Sequence, residues 1–395
     1  MTHLADRPAE QTDGPALDPW ETAERRALRE LAGDFTRREI VPHLAEWEAA
    51  GELPRDLHRR AAEAGLLGVG FAEAVGGSGG DLRDSVIMTE AIMEAGGSTG
   101  LLAGLFTHGI ALPHIVDAGD PDQIERWVRP TLAGATIGSL GITEPDTGSD
   151  VASIRTSARR DGDAYVVRGA KLYITSGVRA DFVTTAVRTG GPGAAGVSLL
   201  VIDKGTPGFS VSRALDKMGW RCSDTAELSF DDVRVPAANL VGDEGSGFVH
   251  IMRQFQNERA SLAVQAYSTA SRCLALTLDW VRQRETFGRP LSTRQVVRHK
   301  VVDMATAVDS ARTYTRAAVD RALAGDLDPT KISMAKNVAV EACDFVVDAA
   351  VQLHGGMGYL RESEVERHYR DARILSIGGG TTEIMKEIIA KIMGL

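Results

Sequence analysis

The hydrophobic period changes twice along this chain, and that double change constrains the fold more than any other feature of the sequence. From Trp20 to about Leu132 apolar residues recur at helical spacing, as in Ala27, Leu28, Leu31, Phe35, Ile40 and Val41, and again in Val86, Ile87, Ala91 and Ile92. Short β-branched runs then take over: Tyr165 to Gly169, Phe182 to Val187, Val197 to Ile202, Phe209 to Val211 and Ala226 to Phe230, separated by Gly, Pro and Asp. From Phe248 the helical period returns and predicts helices over 247–285, 293–324, 330–353 and 382–393, broken by Gly288-Arg289-Pro290, Asp328-Pro329 and Gly355-Gly356. Strands segregated from helices disfavour a parallel α/β sheet. No Gly-x-Gly-x-x-Gly leads from a strand into a helix, so the usual dinucleotide fingerprint is missing.

The expected fold class is therefore α+β and multidomain. A disordered tail over 1–18 precedes an N-terminal helical domain over 19–133. A central antiparallel β-barrel or sandwich domain over 134–245 and a C-terminal four-helix bundle domain over 246–395 follow. The polar start has no apolar core of a signal peptide and too many acids for a transit peptide, which predicts a cytoplasmic protein.

Charge and composition remove several functions. A net charge of -10, with 44 Lys and Arg against 54 Asp and Glu, argues against nucleic acid as a partner. The longest apolar runs fall far short of the ~18 residues a membrane span requires. Three widely spaced cysteines, Cys222, Cys273 and Cys343, make neither a disulfide framework nor a Cys-rich zinc site, and no metal is expected.

The richest local signal is Gly141-Ile142-Thr143-Glu144-Pro145-Asp146-Thr147-Gly148-Ser149-Asp150. Its hydroxyls and permissive glycines suit a loop that hydrogen-bonds a polar ligand, and equally suit an Asx-type turn between helix and strand. Thirty residues on comes Lys171-Leu172-Tyr173-Ile174-Thr175-Ser176-Gly177; later come Arg282-Gln283-Arg284-Glu285-Thr286-Phe287-Gly288, Gln352-Leu353-His354-Gly355-Gly356 and Ile377-Gly378-Gly379-Gly380-Thr381-Thr382-Glu383. Taken together, in this order and over nearly the whole chain, these segments resemble the acyl-CoA dehydrogenases.

That resemblance implies the acyl-CoA dehydrogenase fold, FAD as cofactor, an acyl-CoA substrate, electron-transferring flavoprotein as electron acceptor, and a homotetramer or at least a dimer. It places the backbone of Leu140 and Ile142 and the hydroxyl of Thr143 against FAD, with Ser149 toward the cofactor and the CoA part of the substrate. Tyr173, where many relatives carry Trp, and Thr175 would flank the flavin ring. Arg284 matches an arginine that reaches FAD across a subunit interface, followed by Phe287 and Gln295. Gln352, Gly355 and Gly356 would lie along the ADP portion, and Thr381 and Glu383 against the flavin nucleotide. Gln256, Arg259 and Gly380 are the further substrate contacts.

Dehydrogenation removes a hydride from Cβ and a proton from Cα, so a carboxylate must stand over the thioester. Most relatives supply it from a late Glu-Gly-Thr segment, where this chain has Gly379, which cannot be a base. A branch that includes the isovaleryl- and long-chain-acyl-CoA dehydrogenases carries the glutamate on a helix directly before an arginine. Phe255-Gln256-Asn257-Glu258-Arg259 stands in that place, so Glu258 is the expected base and the Gly379 N–H an expected donor to the thioester oxygen. Two carboxylates in one apolar pocket would repel, which makes Gly379 the complement of Glu258. Other readings are an acyl-CoA oxidase or flavin monooxygenase on the same fold, and a non-catalytic flavin- or acyl-CoA-binding homologue.

Overall fold

The computed structural model describes residues 18–326 and 328–395, so the expected tail lies, except for Asp18, outside the described residues. The N-terminal part is helical: α1 (Ala23–Phe35), α2 (Leu44–Ala50), α3 (Arg55–Glu63), α4 (Leu82–Glu94) and α5 (Thr99–Leu105). Four short helices follow, α6 (His108–Ala111), α7 (Pro113–Ala118), α8 (Pro121–Gln123) and α9 (Arg129–Leu132). Caps set the longer boundaries. Asp81 and Asp84 form a reciprocal capping box at the start of α4, and the Ser98 hydroxyl accepts from Leu101 N–H at the start of α5.

The middle of the chain is one eight-stranded sheet. Its strands are β1 (Gly138–Gly141), β2 (Ser157–Asp161), β3 (Ala164–Thr175), β4 (Phe182–Arg188), β5 (Val197–Asp203), β6 (Phe209–Ala214), β7 (Thr225–Pro236) and β8 (Leu240–Val241). The order is β6-β7-β3-β2-β4-β5-β8, with β1 paired to β4. The sheet is not wholly antiparallel as expected, because β1, arriving from the helices, pairs parallel with β4. Strand β7 also runs six residues past the expected Phe230. Asp231-Asp232 reads as a turn, yet Asp232 takes a φ of 50° and ion-pairs with Arg168 where the β3–β7 register slips, so the strand bends and continues.

The C-terminal helices are α10 (Gly247–Gln283), α11 (Gln295–Leu323), α12 (Pro329–His354), α13 (Glu364–Ala372) and α14 (Thr382–Met393). The first three and α14 fall within a few residues of the expected spans, while α13 was not foreseen. A small ribbon, β9 (Glu285–Thr286) with β10 (Arg289–Pro290), links α10 to α11. Alanines and valines of α10, α11 and α12 form one core around Tyr267. A second core joins Leu112, Ile115 and Trp127 to Leu140, Ile142, Phe182 and Ile251, with Phe248 and Phe255 of α10 packed against it. Helix α10 thus touches both the sheet and the bundle. Among the described residues, no single helix is long and apolar enough to cross a membrane.

Candidate active site

The two segments expected to face the flavin are stitched together. Lys171, fully buried on β3, donates from Nζ to Ile142 O at 2.9 Å and to Glu144 Oε1 at 2.8 Å. The Glu144 carboxylate also takes Arg155 N–H at 2.6 Å and Thr156 N–H at 2.9 Å, and Leu172 N–H donates to Thr143 O at 2.8 Å. Burial alone would push the Glu144 carboxyl up, but the Lys171 ammonium and these hydrogen bonds hold it below the ordinary glutamate value. Burial in turn brings Lys171 down to about 8, against the pull of Glu144. Within Gly141–Asp150, Glu144 and Thr147 close a tight turn, and the buried Glu144 carboxylate anchors it from beneath.

This anchoring presents polar groups at the surface. Leu140 and Ile142 are buried, Thr143 and Thr175 half-buried, and Ser149 exposed. Among the described residues the Thr143 and Thr175 hydroxyls have no hydrogen-bond partner. The register slip between Lys171 and Ile174 throws Tyr173 outward with a φ of 62°, 66% exposed. An exposed aromatic in the left-handed region, on the strand that also carries Thr175 and bonds the Thr143 carbonyl, could take a planar polar ligand, and these residue types are compatible with a flavin ring.

The expected base lies along α10 from this platform, one turn beyond Phe255. Glu258 is half-buried, and its carboxylate accepts no hydrogen bond among the described residues. Burial raises its pKa above the ordinary glutamate value, and the nearby Lys336 and Arg259 charges draw it partly back. Its Oε1 stands 3.4 Å from where a Cβ on Gly379 would sit, and Leu262 Cδ1 stands 2.6 Å from the same point. Gly379 and Gly380 both adopt positive φ, 64° and 95°. Arg259 is 4% exposed and donates from Nε to Gly379 O at 3.2 Å, its guanidinium 5.7 Å from the Phe255 ring. Gln256 is half-buried, with its side-chain oxygen buried and unpartnered among the described residues.

Glu383, the other carboxylate near Gly379 in sequence, is an exposed first-turn residue of α14, where its own backbone N–H and the Thr381 hydroxyl keep its carboxyl below the usual range. Thr381 caps that helix, accepting from Ile384 N–H at 3.3 Å. A helix-start carboxylate is favoured in its charged form and makes a poor proton acceptor.

The remaining expected residues gather elsewhere. Arg284 closes α10, its guanidinium 5.9 Å from the Trp280 ring. Trp280 donates from Nε1 to Leu353 O at 3.0 Å and stacks on His354 at 5.1 Å, which ties this end of α10 to the end of α12 that carries Gln352, Gly355 and Gly356. Phe287 projects from the β9–β10 ribbon, 97% exposed with a φ of 52°, and Gln295 begins α11. Arg284 follows Glu258 by twenty-six residues on α10, roughly 39 Å at 1.5 Å per residue. One protomer therefore holds two separate groups, one around Glu258 and one around Arg284.

Sequence reasoning missed Glu144, Lys171 and Lys336 as organisers. Lys336 is 1% exposed on α12 and reaches the carbonyls of Gly378 and Gly380. Its one visible signal is a lysine directly after the uncharged run Ile332-Ser333-Met334-Ala335.

Three family models match the chain in succession: acyl-CoA dehydrogenase N-terminal domain over 22–135, middle domain over 139–233 and C-terminal domain over 245–394. Long-chain specific acyl-CoA dehydrogenase, mitochondrial, of Sus scrofa is 38% identical over 374 residues, spanning 94% of this chain and 86% of that protein. Isobutyryl-CoA dehydrogenase, mitochondrial, of Bos taurus is 35% identical over 370 residues, 93% of this chain and 88% of that one. The crystal structure of a probable acyl CoA dehydrogenase from Mycobacterium abscessus superposes with a TM-score of 0.94 at 69% identity, covering 95% of this chain and 100% of that one.

Proposed function

The chain belongs to the acyl-CoA dehydrogenase family of FAD-dependent oxidoreductases, and we propose that it desaturates a fatty or branched acyl-CoA to the trans-2-enoyl-CoA with Glu258 as the base. The observation that carries this reading is the unbonded, desolvated Glu258 carboxylate beside Gly379, because a carboxylate left without partners is kept basic enough to take a weakly acidic proton.

FAD, when bound, supplies the acceptor for the β-hydrogen, which leaves as hydride. Leu140, Ile142, Thr143, Ser149, Tyr173 and Thr175 would hold its flavin end, with Thr381 and Glu383 at the adjoining helix start. Glu258 takes the α-proton, and the electron pair of the broken C–H bond moves toward the thioester oxygen. The Gly379 N–H donates to that oxygen as negative charge develops there, the role that preorganised backbone donors fill in acyl chemistry. Arg259 acts through the Gly379 carbonyl, keeping that loop in register. Gln256, Ser149 and Gly380 line the substrate's path. Arg284, Phe287, Gln295, Gln352, Gly355 and Gly356 would serve the nucleotide end of FAD in a second copy, which makes the active unit at least a dimer and fits a tetramer. Electron-transferring flavoprotein is the proposed acceptor of the electrons.

The test is anaerobic addition of acyl-CoAs of graded length and branching to the purified yellow protein. Flavin bleaching that disappears in Glu258→Gln supports the reading. Undiminished bleaching in that variant overturns the base assignment, and rapid hydrogen peroxide release in air makes the protein an oxidase.

A further inference from the structure

We infer that Lys336 is a positioning residue for α-proton removal: by gripping the carbonyls of Gly378 and Gly380 it aims the N–H groups of Gly379 and Thr381 toward the side where the thioester oxygen would lie. The inference rests on the dehydrogenase reading above and deepens it.

An ammonium group with 1% exposure is costly to bury unless its donors are used. Lys336 uses two of its three, donating to Gly378 O at 2.5 Å and to Gly380 O. The carbonyl between them, Gly379 O, is taken by Arg259. Three successive carbonyls are thus each held by a cation. In a planar trans peptide the C=O of one residue and the N–H of the next point in opposite directions. Holding Gly378 O toward Lys336 therefore turns Gly379 N–H away from it, and holding Gly380 O does the same to Thr381 N–H. Among the described residues, the amides of Gly379, Gly380 and Thr381 donate to nothing in the protein. Only glycine adopts the two consecutive positive φ angles cheaply, and successive free amides of this kind form a concavity suited to a developing anion. Glu258 and Arg259 are the charged groups that face Lys336, and burial brings the lysine down to about 8 with Glu258 pulling it back up.

The proton step can be read without any redox chemistry. A 3-thiaacyl-CoA has an acidic Cα–H and no β-hydrogen to surrender as hydride. In heavy water Glu258 takes the α-proton, the electron pair moves onto the thioester oxygen, and a deuteron returns to Cα. Mass spectrometry then follows the exchange on the FAD-loaded protein. We expect Lys336→Met to slow the exchange about 100-fold, the usual cost of losing one oxyanion donor, while its affinity for the probe changes little. Backbone amide exchange over 374–381, measured with no substrate present, should quicken in the same variant. If Lys336→Met fails to retain FAD, Lys336→Gln, whose amide can still reach one carbonyl, is read in the same way and should exchange more slowly than wild type. A folded variant whose α-exchange stays within about threefold of wild type overturns the role of Lys336. A wild-type protein that exchanges no α-hydrogen overturns the dehydrogenase reading instead.

Discussion

Glu258 and Gly379 occupy one space from opposite sides: the Glu258 Oε1 stands 3.4 Å from where the first atom of a side chain at 379 would be. A base can enter this pocket from the helix or from the loop, and the room taken by one is the room denied to the other.

The activity of Glu258 should track its ionisation. Burial raises its pKa and the Lys336 and Arg259 charges lower it, with burial prevailing. The base works only when deprotonated, so kcat/KM should climb with pH through a midpoint above the ordinary glutamate value. The sign for stability runs the other way. The native state favours the protonated acid, so this group's contribution is complete below the ordinary value and is lost as pH rises through the raised one. A pH–rate profile checks the first statement, and in Lys336→Met the midpoint should move further up.

Gly379→Ala should impair both folding and turnover. Its methyl would meet Leu262 Cδ1 at 2.6 Å in a residue with a φ of 64°. The left-handed backbone alone costs about 1–2 kcal/mol for an L-residue. Displacing the carboxylate by an ångström should lower kcat about 100-fold. Thermal melts and single-turnover flavin bleaching separate the two effects.

Lys171→Met should loosen the flavin platform. Lys171 and Glu144 are 0% and 5% exposed and 2.8 Å apart. Removing one partner of a buried pair leaves the other charge uncompensated, at a cost of about 3–5 kcal/mol. Denaturant melts should show that loss, and gel filtration should show FAD leaving the variant more readily than the wild type.

Asp371 should make the fold sensitive to pH near neutrality. It is fully buried on α13, accepting from Trp220 N–H at 2.7 Å, and burial together with the Glu48 carboxylate pushes it up to about 7. Its stabilising contribution is complete below the ordinary aspartate value and is lost as pH rises through about 7. The melting temperature should fall between about pH 6 and about pH 8, and Asp371→Asn should flatten that slope.

The sequence pointed to Glu258 as the proposed base because an absence is legible: a glycine where the resemblance calls for a carboxylate sends the search elsewhere, to the Glu258 that stands before Arg259. The two long helices α10 and α12 were legible for a similar reason, since apolar spacing persists over many turns. Lys336 was hidden because a lysine in a helix ordinarily reads as solvated, and only packing reveals that it points inward. The bend at Asp232 was hidden because two adjacent aspartates look like the end of a strand. Here Arg168, contributed by a different strand, neutralises one of them and lets β7 continue. What local pattern misses in this chain is set by partners distant in sequence.

The rigidity of α10 has a genetic consequence. Since one rod carries Glu258 and Arg284 roughly 39 Å apart, the proposed function has each complete site combine the glutamate of one copy with the arginine of another. Two proteins crippled separately, Glu258→Gln and Arg284→Ala, should therefore rescue each other when expressed together. A hybrid pair would contain one site with both defects and one with neither, so a cell carrying both alleles would recover turnover that neither supports alone.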